Sequence, residues 1–246
     1  MIRALIFDFD GLILDTEGPD YRAWQEVCIE HGHDLPLSVW SQCIGRSSDW
    51  FDPVAWLESH LGRPLDRPAI HDRQRRRHRE LLEAEAILPG IEAYLADARR
   101  LGLKLGVASS SSRQWVAGHL ERLKLHAYWD CIRCWGDVER AKPAPDLYLA
   151  VLECLGVGPH EAIAFEDSPN GVAAARGAGI VCVAVPNPLT ALLDLGLADL
   201  RLASLADLPL PDLLARIDRD RIPPAMEGAM TISTSPPRPA LEMDRP

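Results

Sequence analysis

ALIFDFDGLILDT, residues 4–16, is the stretch on which the fold turns. Ala4 to Phe7 form a short, wholly apolar run that ends in acidic residues and a glycine. That is the pattern of a buried parallel strand opening into a loop. Asp8 closes the strand, Asp10 follows two residues on, and Gly11 permits a tight turn. In open α/β sheets, ligands gather outside the carboxyl ends of strands. Two carboxylates there can divide labour, one as nucleophile and one as proton shuttle, because burial and neighbouring charge drive their pKa values apart. The same D-x-D-G also suits a plain pair of loop or capping aspartates.

Working outward, similar apolar runs recur at 103–108, 162–165 and 181–185, with segments of helical periodicity between them at 91–101 and 147–155. Strands alternating with helices predict an α/β fold, a Rossmann-like parallel sheet with helices on both faces. Residues 21–86 break that rhythm: they show helical periodicity and capping signals, such as Ser47 and Ser48 before Phe51, but no strand. A small helical domain inserted after the first strand is expected, with crossings near 15–20 and 88–90. The expected division is 1–15 with 88–217 as the sheet domain and 16–87 as the helical insertion. Residues 218–246, rich in Pro, Ser, Thr and Arg, read as a disordered tail.

With 246 residues, 47% of them hydrophobic, the chain can bury a substantial core. Its net charge of -10 argues against polymeric nucleic acid and anionic membrane as partners. Neither a signal-peptide pattern nor a run of membrane-spanning length is present, so a cytoplasmic location is expected. Cys28, Cys43, Cys131, Cys134, Cys154 and Cys182 are scattered through apolar stretches and read as reduced, mostly buried thiols. Cys131 and Cys134 spell C-x-x-C, but no second pair stands at matching spacing. On a strand over 130–135 the two would face opposite sides. The arginine run at 73–79 reads as a solvated helix face, with attraction of an anionic substrate as the alternative.

Three more elements bear on the two aspartates. Ser109 follows one predicted strand, Glu166 and Asp167 follow another, and Lys142 lies between them in a segment whose Pro143 and Pro145 fit a helix start. Acidic residues at two strand ends can hold a hard cation such as Mg²⁺. A lysine and a hydroxyl nearby can neutralise and hydrogen-bond phosphate oxygens. Taken alone Lys142 would pass for a surface lysine, but Lys104, Lys124 and Lys142 are the only lysines in a chain rich in arginine.

DFDGLILDT, VASS, AKPAPDLY and FEDSPNG, in that order, resemble the motifs of the haloacid dehalogenase-like superfamily. The resemblance is to its branch with a small helical cap, which includes β-phosphoglucomutase and many sugar-phosphate phosphatases, and it covers roughly residues 1–213. It implies Asp8 as nucleophile and Asp10 as general acid and base. It implies Ser109, with Ser110 beside it, and Lys142 as phosphate-binding groups. It places Mg²⁺ on Asp8, the Asp10 carbonyl, Asp167 and Glu166. The expected activity is hydrolysis of a small phosphorylated metabolite, a sugar or polyol phosphate, through an aspartyl-phosphate.

Within that superfamily the phosphonatase branch needs a cap lysine, and none occurs between Asp15 and Leu88. The dehalogenase branch lacks the second aspartate and the acidic metal site. A phosphomutase is the runner-up, because DTEGPDYRAW is similar to its counterpart, but Asp20 stands where the mutases carry a histidine. Asp20, Gly45 and Arg46 are the candidate specificity residues. Arg46 reads equally as a bidentate ligand for a second anionic group and as a solvated arginine. From another class, a phosphorylation-dependent receiver module also surrounds an acceptor aspartate with acidic residues, a hydroxyl and a lysine. Such modules are about half this length and have no helical insertion. Oligomeric state is not legible.

Overall fold

The run Ala4–Phe7 forms strand β1, and every residue of it is buried. Its side chains alternate between two apolar clusters, Leu5 and Phe7 in one, Ala4 and Ile6 in the other. Helices cover both faces of the sheet, so the strand needs no polar position. The computed structural model describes residues 1–40 and 51–220. Within them β2 (Lys104–Ser112), β3 (Cys131–Trp135), β4 (Ala162–Glu166), β5 (Val181–Ala184) and β6 (Leu200–Arg201) join β1 in one parallel sheet of order β3-β2-β1-β4-β5-β6. This is the Rossmann-like sheet expected. The order reverses at β1, so the crevice outside β1 and β4 is the switch point where such sheets bind ligands. β6 had no signal in the sequence, since two residues cannot show a period.

Helices α5 (Ile91–Arg100), α6 (Arg113–Arg122) and α9 (Leu210–Asp220) pack on one face, over Leu5, Phe7, Ile163 and Phe165. Helices α7 (Asp146–Leu155) and α8 (Pro169–Gly177) cover the other, whose strand residues are mostly small, Ala4, Ala162 and Ala164 beside the larger Ile6. Close approach requires this. A Cβ placed on Gly106 of β2 would lie 2.5 Å from Val151 of α7. Helix α9 continues to Asp220, past the boundary read at 217, and the rest of the tail lies outside the described residues.

The chain leaves the sheet domain after Leu14 and returns at Ile87. These two residues form an antiparallel bridge, and the Leu88 amide donates to the Ile13 carbonyl at 3.0 Å. Between the crossings lie α1 (Glu17–Glu30), α2 (Leu37–Trp40), α3 (Pro53–Leu61) and α4 (Arg67–Ala84). They enclose their own apolar cluster of Trp24, Val27, Cys28, Leu35, Trp40, Val54, Leu57 and Ile70, joined by Leu189 from beyond β5. Helix α3 is capped by Asp52, which accepts from the Val54 and Ala55 amides; Ser47 and Ser48 lie outside the described residues. The arginine run is not merely solvated. Arg73 and Arg77 pair with Glu26 and Glu30 and dock α4 on α1, while Arg75 bonds only its neighbour Asp72 among the pairs seen.

One expectation fails at the cysteines: Cys131 of β3 and Cys154 of α7 form a disulfide, with Cα atoms 6.3 Å apart. Residues 23 apart in sequence carry no local sign of such proximity; packing α7 against β3 creates it. Cys28, Cys134 and Cys182 are free and buried. Cys131 and Cys134 do face opposite sides of the sheet, in different clusters. Among the described residues no helix is long and apolar enough to cross a membrane.

Candidate active site

Strand β1 ends against β4, with the Asp8 amide bonded to the Phe165 carbonyl at 3.0 Å, so Asp8 stands beside Glu166 and Asp167 where β4 ends. The turn that follows is crowded. Gly11 has φ +76°, and a Cβ there would fall 2.2 Å from Asp167 Oδ2. At the start of α8 a Cβ on Gly171 would lie 1.8 Å from Glu166 Oε2. Both glycines leave room for a carboxylate.

Lys142 reaches the same point from the loop before α7. Its Nζ lies 2.6 Å from Asp8 Oδ1 and 2.6 Å from Glu166 Oε1, and its side chain is only 5% exposed, so it is no surface lysine. Tyr148, on the first turns of α7, donates its buried hydroxyl to Glu166 Oε1 at 2.5 Å and lays its ring 5.4 Å from the ammonium. Asn187, beyond β5, donates to Asp167 Oδ2 at 3.0 Å and to the Gly11 carbonyl at 3.3 Å, tying the acidic turn to a third strand end. Asp10 is held apart from the cluster: Ser111 Oγ (2.7 Å) and Ser109 Oγ (3.3 Å) donate to its Oδ2, and the Trp115 indole N–H (2.8 Å) to its Oδ1.

Three buried carboxylates thus stand around one ammonium, which bonds two of them, Asp8 and Glu166. Burial, and then the Glu166 charge, push Asp8 up to about 8 despite Lys142. Burial, with Asp8 and Glu166 adding to it, raises Asp167 well above the ordinary carboxylate range. Burial opposes the Lys142 ammonium, but Asp8 and Glu166 outweigh it and hold the lysine protonated. Tyr148 keeps its proton because burial and the neighbouring carboxylates disfavour phenolate.

Such a cluster calls for another positive charge. Ligand oxygens of Asp8, Glu166 and Asp167 all come within 4.8 Å of one another, and Glu166 Oε2 is buried with no hydrogen-bond partner among the described residues. An unpaired buried carboxylate oxygen is costly, and a hard cation with oxygen ligands would satisfy it. The residues therefore fit a divalent ion of the magnesium type.

Above this floor opens a cleft of about 560 Å³, a volume suited to a small organic ligand. Asp8, Asp10, Lys142, Asp167, Ser110, Ser111, Ser168 and Asn170 line it, with Glu17 from α1 and Trp135 from the end of β3. Ser109 is wholly buried behind it, its hydroxyl on Asp10. Asp20 is not among the lining residues; its carboxylate takes the Gln74 amide at 2.5 Å, with His78 3.9 Å away. Gly45 and Arg46 lie outside the described residues.

The sequence did not single out Glu17, Ser111, Trp115, Trp135, Tyr148 or Asn187 for the site. Two of them had a usable signal. Ser111 shares a strand face with Ser109 by the period of two, and Asn187 stands just past a strand end, where ligands collect. Trp115 and Tyr148 reach the site from helices, and nothing local announces it.

A family model described as haloacid dehalogenase-like hydrolase matches residues 5–185. YhcW of Bacillus subtilis (strain 168), named as a candidate phosphatase, is 47% identical over 89% of this chain and 99% of its own. Fructose-1-phosphate phosphatase YqaB of Escherichia coli (strain K12) is 32% identical over 74% of this chain and 95% of its own. Among solved structures, a candidate β-phosphoglucomutase from Thermotoga maritima superposes with a TM-score of 0.71 at 26% identity, covering 88% of this chain and all of that one. CbbY from Rhodobacter sphaeroides in complex with phosphate gives 0.64 at 31% identity, over 87% and 99%.

Proposed function

This chain belongs to the haloacid dehalogenase-like hydrolases, and from that premise we propose that it is a Mg²⁺-dependent phosphatase of small phosphorylated metabolites, working through an aspartyl-phosphate on Asp8. The observation that carries this reading is the buried set of Asp8, Glu166 and Asp167 around the single ammonium of Lys142, at the switch point of the sheet. The relatives named as phosphatases of phosphorylated carbohydrates, of fructose 1-phosphate and of pseudouridine 5'-phosphate support the class of substrate.

Asp8, Asp167, Glu166 and the Asp10 carbonyl would hold Mg²⁺, which supplies charge neutralisation between the nucleophile and the phosphate. The Asp8 carboxylate attacks phosphorus in line, forming the Asp8 oxygen–phosphorus bond as the bond to the leaving oxygen breaks. Lys142, desolvated and always protonated, offsets charge on the phosphoryl oxygens. Ser110, exposed in the cleft, supplies a hydroxyl there, while the hydroxyl of Ser109, buried behind it, is placed on Asp10. Asp10 delivers its proton to the departing alkoxide, then takes one from the water that attacks phosphorus and frees Asp8. Its three donors fix the carboxylate in one orientation for both transfers.

The test is phosphate release from a panel of small phosphomonoesters, with and without Mg²⁺, for the wild type and Asp8→Asn. Multiple turnovers that require Mg²⁺ and fall on the order of 10⁴-fold or more in the variant are expected; normal turnover by Asp8→Asn would sink the assignment. A mutase is the second reading, favoured by the β-phosphoglucomutase neighbours. Interconversion of phosphohexose isomers with a bisphosphate primer, in place of phosphate release, would establish it. Receiver modules of the flavodoxin-like type have strand order 2-1-3-4-5, unlike the sheet here.

A further inference from the structure

Besides the two crossings at Leu14 and Ile87, the helical insertion has a third attachment to the sheet domain. Leu189, in the stretch VPNPLT at 185–190, is buried in the insertion's own apolar cluster with Trp24, Val27 and Leu57, and Leu193 packs against that cluster. Chain order does not require a residue from beyond β5 to complete that core.

The same turn holds the acidic floor. Asn187 is buried and lies outside the lining of the cleft. Its Oδ1 accepts from the Leu189 and Thr190 amides, both at 2.9 Å, which turns its Nδ2 toward Asp167 Oδ2 and the Gly11 carbonyl. An amide side chain has two donor hydrogens and two acceptor sites, and all of them are spent here. The Asn187 backbone amide in turn donates to Thr190 Oγ1 at 3.0 Å. Pro186 and Pro188 on either side fix φ and carry no amide that could compete. The backbone of Leu189 and the carboxylate of Asp167 are thus gripped by opposite ends of one planar group. Displacing either breaks buried hydrogen bonds, and a buried polar group left unmatched is costly.

We infer that Asn187 is a positioning residue for Asp167, and that the turn it organises couples the helical insertion to the Mg²⁺ site, with Leu189 as the anchor on the insertion's side. This rests on the metal site of the phosphatase reading and adds a dependence on a side chain that lies outside the cleft. The physical chain is short: the Leu189 side chain, its amide, the Asn187 side chain and Asp167 Oδ2. Contiguity is not itself coupling, which is measured as non-additivity.

The test is calorimetric titration of the metal-free full chain with Mg²⁺ alone. Asn187→Ala should weaken Mg²⁺ binding about 10- to 100-fold, as for other groups that orient metal ligands. Leu189→Ala should weaken it about 2- to 30-fold. Leu57→Ala, the same truncation in the same cluster but off the turn, should leave it unchanged. In the Asn187→Ala background, where the link is cut, Leu189→Ala should have no further effect. If an alanine variant at 189 or 57 fails to fold, Leu189→Val against Leu57→Val makes the same comparison with a smaller loss. Equal Mg²⁺ affinities in the 189 and 57 variants, fully additive effects of Asn187→Ala and Leu189→Ala, or unaltered binding in Asn187→Ala would overturn the inference and leave the metal site standing. Absence of Mg²⁺ binding by the wild type would overturn the inference together with the metal site it rests on.

Discussion

The floor of the cleft and its helical side are built on opposite principles. On the floor, Asp8, Lys142 and Asp167 each have partners, Asp10 has three donors fixing it, and Glu166 Oε2, without a donor among the described residues, stands where a cation would complete it. All stand where strands end, or are tied to those ends. On the helical side Glu17 Oε2 has no donor among the described residues, and α1 to α4 are held by a separate core of Trp24, Val27 and Leu57. Chemistry that does not vary with the leaving group can be pre-organised, save for the oxygen that a cation would complete. Recognition cannot, because a side chain already satisfied by its own protein has nothing to offer a ligand.

The comparison breaks most readily at Lys142. Lys142→Ala should lower turnover about 10²- to 10³-fold with saturating substrate, and an unchanged rate would mean that the floor's charge balance is irrelevant to the chemistry. Tyr148→Phe should sharpen it, since it removes one of the two donors to Glu166 Oε1 and leaves Lys142 in place. Mg²⁺ affinity, measured by calorimetry, is expected to fall about 10- to 100-fold, as for other partners of metal ligands; unaltered affinity would limit Tyr148 to packing.

Acidity offers a subtler contrast. The folded state raises Asp8 from 3.8 to about 8, so it keeps a proton that the unfolded chain releases. That contribution to stability is whole below about pH 4 and is lost as pH rises through about 8. Without metal, the melting temperature should therefore decline across that window, and Mg²⁺ should raise it more at pH 8 than at pH 5. Equal increments at both would count against Asp8 as a ligand. The smallest effect is expected in the cap. Arg77→Ala removes a partly exposed pair to Glu26, and should lower the melting temperature by about 3 °C or less without altering Mg²⁺ affinity. A change in Mg²⁺ affinity would show that cap and floor are joined at more than Leu189.

Legibility followed the same division. Asp8, Glu166 and Asp167 were readable because each directly ends, or directly follows, an apolar run in the sequence, and strand ends are where α/β sheets bind. Lys142 was singled out by the scarcity of lysine here and by its place in AKPAPDLY, not by a strand end. The cap was readable as helical, but not in which of its residues faces the cleft: Asp20 turned to Gln74 and His78, while Glu17, three positions earlier, lines the cleft. Those two are one helical turn apart, and periodicity without a known packing face cannot choose between them.

The sequence by itself determined the parallel sheet, the insertion after its first strand and the acidic strand ends. Each of these is a matter of local pattern and chain order. Tertiary structure alone decided that Tyr148 and Asn187 secure the carboxylates, that Trp115 holds Asp10, that Cys131 meets Cys154, and that Glu17 Oε2 has no donor among the described residues. Those facts depend on which surfaces of distant segments are pressed together, and on which polar atoms that packing shuts away from water.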